Sequence, residues 1–160
     1  MTDADSITMT RRSLLFLVAT LTLTAGEKPN FTGTWKLNAA KSDFGKMPLP
    51  AKLERVVQHA EPKLTVQSVT SSPQGELRSV SIYTTDDKES VNTVRGTQVK
   101  SVAAWVGPTL TIRSTRQVQN VELVAVEHWS LSANGKVLTV INKISTPGGT
   151  VEATTVLDRQ

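Results

Sequence analysis

Between Phe31 and Asp158 the chain divides into ten short runs rich in Val, Thr, Ile and aromatic residues, and turn-forming residues separate most of them. The runs fall at 31–38, 51–59, 63–70, 76–84, 89–94, 97–106, 109–116, 121–131, 136–145 and 150–158. Their separators include Glu61-Pro62, Pro73-Gln74-Gly75, Thr85-Asp86-Asp87-Lys88, Gly107-Pro108, Ala133-Asn134-Gly135 and Pro147-Gly148-Gly149. Asn134-Gly135 predicts a type I′ hairpin, because both residues tolerate positive φ. Helical periodicity is missing from residue 27 onward, and the stretch from Ala39 to Pro50 has room for one short helical turn before Pro48 and Pro50 stop it. Successive strands with tight connections form an antiparallel up-and-down meander. Closing that meander into a barrel of eight to ten strands removes its exposed edges and leaves an interior wide enough to be packed solid or to hold one small ligand.

The N-terminal segment has a different composition. Arg11 and Arg12 precede an apolar and hydroxyl run from Leu14 to Leu23, followed by the small residues Thr24, Ala25 and Gly26, which is the order of an export signal. Ten such residues are too few for a membrane-spanning helix, which needs about 20. Residues 1–26 are therefore expected to be removed, by a twin-arginine or a general secretory route, leaving residues 27–160 as one periplasmic or secreted domain. The chain has no cysteine, which rules out disulfides, thiolate metal sites and a lipid anchor on cysteine, so no stable membrane anchor is expected after signal removal. Loss of residues 1–26 removes two Arg and two Asp, so the net charge of +4 is unchanged. The basic residues are scattered and lack the interleaved aromatics that stack on bases, which argues against a nucleic-acid partner.

The segment Phe31-Thr-Gly-Thr-Trp35-Lys-Leu37 resembles the opening strand of the calycin group, the lipocalins and the intracellular fatty-acid-binding proteins, the latter especially. Ser42-Asp43-Phe44-Gly45 follows at the place where secreted lipocalin-like proteins of soil bacteria carry a similar sequence. Thr154 to Arg159 stands where such barrels end with a strand beside the first. The resemblance implies an all-β fold, a single antiparallel barrel of calycin type. Gly33 would let the first strand bend where a Cβ would crowd the neighbouring backbone, and Trp35, on the same face, would plug the closed end. Two departures limit it. The twelve residues from Ala39 to Pro50 are too few for the helix-turn-helix lid of fatty-acid-binding proteins, and Thr155-Val156-Leu157 replaces their carboxylate-holding Arg-x-Tyr.

Strand parity supplies interior candidates. Arg78 shares a face with Val80 and Ile82, and Arg116 shares one with Leu110 and Ile112. If those apolar faces point inward, the guanidiniums either clamp a ligand anion or form an internal ion pair with Glu127, on the face of Leu123, Ala125, Trp129 and Leu131. Tyr83, Trp105 and Trp129 are the large aromatics able to line a pocket, with Val99, Ser101 and Ala103 leaving space beside Trp105. Catalysis finds little support: two histidines, His59 and His128, do not make a zinc site, and no nucleophile elbow or phosphate loop occurs. Glu127 and His128 are the one neighbouring acid–base couple worth testing. The expectation is an exported, non-enzymatic barrel without cofactor or metal, holding a small hydrophobic or amphipathic ligand. The alternative is a solid barrel or sandwich acting by surface contacts.

Overall fold

A computed structural model describes residues 27–160, so the predicted export signal lies outside the described residues. Ten strands follow one another: β1 (Gly33–Leu37), β2 (Lys52–Ala60), β3 (Lys63–Ser72), β4 (Gly75–Thr84), β5 (Glu89–Val94), β6 (Thr97–Val106), β7 (Thr109–Val118), β8 (Val121–Leu131), β9 (Val137–Thr146) and β10 (Gly149–Arg159). All belong to one antiparallel sheet in the order β4-β3-β2-β1-β10-β9-β8-β7-β6-β5. The predicted helical turn is a single 3-10 turn, Ala39–Lys41.

The last strand returns beside the first, pairing Trp35 with Arg159 and Leu37 with Leu157. Closure at the other seam, between β4 and β5, uses side chains where a backbone ladder would run. Asn92 accepts from the Ile82 amide at 2.8 Å and donates to the Ile82 carbonyl at 3.0 Å, while Ser90 Oγ accepts from the Thr84 amide at 3.1 Å. An asparagine side chain thus supplies the donor and acceptor that a neighbouring strand would have offered. The barrel is nearly closed.

Tight turns set the register, but two-residue type I′ geometry occurs elsewhere than expected. Arg95-Gly96 and Gln119-Asn120 have positive φ at both central positions and join directly paired residues. At Asn134-Gly135 only Gly135 is left-handed; Gly135 N donates to Ser132 O, and Asn134 Oδ1 accepts from the Lys136 amide. Asn134 uses its side chain to stabilise a longer loop and keeps negative φ.

The core fills one end. Phe31, Trp35, Leu64, Leu110, Leu138 and Leu157 are fully buried. The Trp35 indole donates to the Phe31 carbonyl at 2.9 Å, and the Arg159 guanidinium stacks 4.3 Å from its ring. Gly33 holds φ +154°, and a Cβ there would lie 2.6 Å from Arg159 Nη1. The crowding partner is therefore the arginine side chain and not neighbouring backbone.

Strand β4 reverses the parity expected of it. Leu64 and Val66 of β3 are buried, and their register partners are Tyr83 and Ser81. Cross-strand partners share a face, so Leu77, Ser79, Ser81 and Tyr83 point inward. Val80 and Ile82 lie outside at 54% and 48% exposure, and Arg78 with them.

Candidate functional site

At the closed end, residues 27–32 and the β2–β3 and β4–β5 turns converge on a polar plug. The Phe31 ring stacks on His59 at 5.7 Å and on Trp105 at 5.8 Å, and meets Trp129 edge-on at 5.6 Å. Beneath the stack, Glu61 accepts from His59 Nε2 at 2.8 Å, Thr85 Oγ1 at 2.8 Å and Trp105 Nε1 at 3.0 Å, with Lys28 Nζ at 3.5 Å. Burial alone would raise the Glu61 pKa, but these hydrogen bonds and the lysine together hold it below its ordinary 4.5. His59 Nδ1 accepts from the Phe31 amide, so Nε2 carries the proton given to Glu61. The plug fixes the N-terminal residues of the domain across the barrel bottom.

Above the plug the interior becomes hollow, with apolar and polar side chains in its lining. A cavity of about 250 Å³ lies outside the barrel near Gln58 and Lys63, whereas an interior cavity of about 220 Å³ is lined by Tyr83, Arg116, Leu123, Glu127, Asn142 and Ile144, among others. Its floor is an ion pair: Arg55 Nη2 lies 3.7 Å from Glu127 Oε1, and Trp129 Nε1 donates to Glu127 Oε2 at 2.7 Å. The Arg55 guanidinium also covers the Trp129 ring at 5.0 Å. Arg55 Nε and Nη1 and Asn142 Oδ1 are buried without a hydrogen-bonding partner among the described residues. Burial, and secondarily the Glu127 charge, push the Tyr83 hydroxyl above its ordinary 10.0, against opposing effects of Ser81 and Arg55. Tyr83 therefore stays a neutral donor at physiological pH.

The five predicted pocket residues thus separate. Tyr83 and Arg116 line the cavity. Trp129 lies under it, fully buried, and orients Glu127. Trp105 belongs to the closed-end plug, because its indole reaches down to Glu61 instead of filling the space beside Val99 and Ser101. Arg78 is outside the barrel, where it pairs with Glu76 at 2.7 Å. Neither Arg78 nor Arg116 forms the expected internal pair with Glu127 among the described residues; the cation on Glu127 is Arg55. Arg55 shares its strand face with the buried Leu53 and Val57, the parity signal that would have found it. Asn142 is marked in the same way by Leu138 and Val140. Glu127 and His128 diverge, Glu127 into the interior and His128 to the opposite face beside Thr111 Oγ1 at 3.0 Å, so they form no acid–base couple. Among the described residues no three His, Asp or Glu side chains cluster as a metal site.

No protein-family model and no curated protein matches the sequence. Solved structures do match. A secretory abundant heat soluble protein from Ramazzottius varieornatus superposes with a TM-score of 0.61 at 15% identity, covering 81% of this chain and 94% of that one. The zebrafish ileal bile acid-binding protein, complexed with cholic acid, gives 0.58 at 17% identity, with coverage of 81% and 98%. Human cRBP IV gives 0.55 at 17% identity, with coverage of 82% and 99%. Together with the ten-strand meander and the Gly33–Trp35 closure, these matches give the chain the fold of the calycin barrels of fatty-acid-binding-protein type.

Proposed function

We propose that the protein, freed of residues 1–26 and working in the periplasm or outside the cell, carries a small apolar or amphipathic molecule in the open half of its barrel and does no covalent chemistry on it. The observation that carries this reading is the cavity of about 220 Å³ above the Arg55–Glu127 floor, walled by Val94, Val99, Leu123, Ala125 and Ile144. A solid barrel would have filled that space with side chains, as the closed end does. At about 30 Å³ per water, the cavity equals roughly seven water molecules, so the occupant is of medium length or protrudes from the mouth. Support also comes from the complex of cholic acid with a barrel of the same fold.

Ala125 sits mid-cavity, and Ala125→Trp would fill it. A naphthalene-based fluorescent probe should be taken up by residues 27–160 and displaced by medium-chain amphiphiles, with at least a tenfold loss of uptake in Ala125→Trp. Equal uptake by both proteins would place the probe on the surface and overturn the reading. Mass spectrometry of an organic extract of the purified protein would then identify the natural occupant.

A further inference from the structure

The cavity is polarised from mouth to floor. Arg116 and Leu123 are register partners at the mouth, and Ile112 and Glu127 are partners at the floor. The four-residue step from Leu123 to Glu127 corresponds to about 13 Å along the strand. Val99 stands opposite Arg116 at the mouth, and between mouth and floor the wall is formed by Ala125 and Ile144 with the small Ser114 beside them. Arg116 makes no ion pair with any described residue, so its charge is available at the rim. Its position suits an anion that keeps part of its hydration.

The floor has the opposite requirement. Glu127 faces the cavity, and Arg55 behind it already balances its charge. A carboxylate brought to this depth would be desolvated beside Glu127 and repelled by it. An ammonium would share the carboxylate with a guanidinium 3.7 Å away, leaving two buried cations on one anion. An uncharged hydroxyl avoids both problems: it donates to Glu127 and accepts from the Asn142 amide, whose register partner is Glu127, or from the Tyr83 phenol.

We infer that the site selects a medium-chain acid with a hydroxyl at its far end, the carboxylate on Arg116 at the mouth and the hydroxyl on Glu127 and Asn142 at the floor. This rests on the interior-binding reading above and names its ligand class. The orientation places the charged end outward.

Isothermal titration calorimetry of residues 27–160 with octan-1-ol, octanoate, 8-aminooctanoate and 8-hydroxyoctanoate tests it. The hydroxy acid should bind about tenfold or more tighter than octanoate, the worth of one hydrogen bond to a charged group. It should also bind more tightly than the amino acid. Arg116→Gln, on an exposed side chain, should weaken both acids severalfold and leave octan-1-ol unchanged; Asn142→Leu should erase the advantage of 8-hydroxyoctanoate over octanoate. Equal affinity for the hydroxy acid and octanoate, or an Arg116→Gln loss shared by octan-1-ol, would overturn this inference while leaving the interior-binding reading in place. Absence of binding by all four ligands and by the naphthalene probe would overturn both.

Discussion

The closed and open halves of the barrel are built from the same alternating strands, yet they treat buried polar atoms in opposite ways. At the closed end the Trp35 and Trp105 indoles donate to the Phe31 carbonyl and to Glu61, and Glu61 is itself surrounded by donors. At the floor of the open half Arg55 Nε and Arg55 Nη1, and on the cavity wall Asn142 Oδ1, are buried with no hydrogen-bonding partner among the described residues. An unsatisfied buried polar group costs about 1–3 kcal/mol, so the open half gives up stability that the closed half keeps. One end carries the fold, and the other holds space for an occupant.

The largest expected effect is therefore at the closed end. Trp35 is fully buried, stacked by Arg159 and bonded to Phe31, and Trp35→Ala should destabilise by about 3–5 kcal/mol in urea unfolding. Leu123→Ala, at the cavity wall, removes side-chain volume beside existing empty space and should cost less than about 1 kcal/mol. Equal losses at the two positions would mean that the open half is as tightly packed as the closed one, and the comparison would fail.

The floor ion pair is the boundary between the halves. Arg55→Met leaves the partly buried Glu127 without its counter-charge and should cost about 2 kcal/mol. Arg55→Met with Glu127→Gln removes both charges while keeping an acceptor for Trp129, and should regain most of the loss in the same unfolding assay. If the double variant is as unstable as the single, the pair is not what holds the floor.

These halves were unequally legible. Val-, Thr- and Ile-rich runs and turn residues mark all ten strands, because β-structure is written in local composition. The closed end was visible through Gly33 and Trp35, whose spacing fixes both on one face. The cavity was harder to read. On β4 the outward residues Val80 and Ile82 are more apolar than the inward Ser79 and Ser81, so hydrophobicity pointed the wrong way and took Arg78 with it. A hollow interior does not demand apolar side chains at every inward position, and parity judged by apolarity loses its sign there. Only the buried partners across the β3–β4 ladder resolve it. Arg55 and Asn142 stood on strands whose apolar alternation is clear, and the same rule applied there would have placed both inside. Trp105 went the other way, since its inward face was legible but the reach of its indole to Glu61 depends on a contact 44 residues distant in sequence.

The β4–β5 seam runs along both halves and should respond locally. Asn92→Ala deletes both side-chain bonds to Ile82, at an expected global cost of about 1 kcal/mol because water can replace them at this exposed edge. Hydrogen exchange at the Ile82 amide should accelerate strongly while that at Val57, in the paired β1–β2 ladder, stays unchanged. Equal acceleration at Val57 would show that the seam and the closed end open as one unit.

The smallest effect separates the two ends by pH. The hydrogen bonds from His59, Thr85 and Trp105, with Lys28, outweigh burial and hold Glu61 below 4.5, so the folded state binds the Glu61 proton more weakly than the unfolded chain does. The resulting stabilisation is present above pH 4.5 and fades as pH falls from there through the lower folded value. Glu61 is 39% exposed, and solvent screening limits the contribution to less than about 1 kcal/mol. Unfolding midpoints of the parent protein and Glu61→Gln, compared from neutral pH down to pH 3, should therefore converge on acidification. The convergence should be accompanied by a change in Trp105 emission, while the affinity of Arg116→Gln for octan-1-ol, read in the other half, stays level. A gap that is constant or widens toward acid would mean that Glu61 is not the acid-sensitive element of the plug, and that the closed end draws its strength from the Phe31, His59 and Trp105 stack alone.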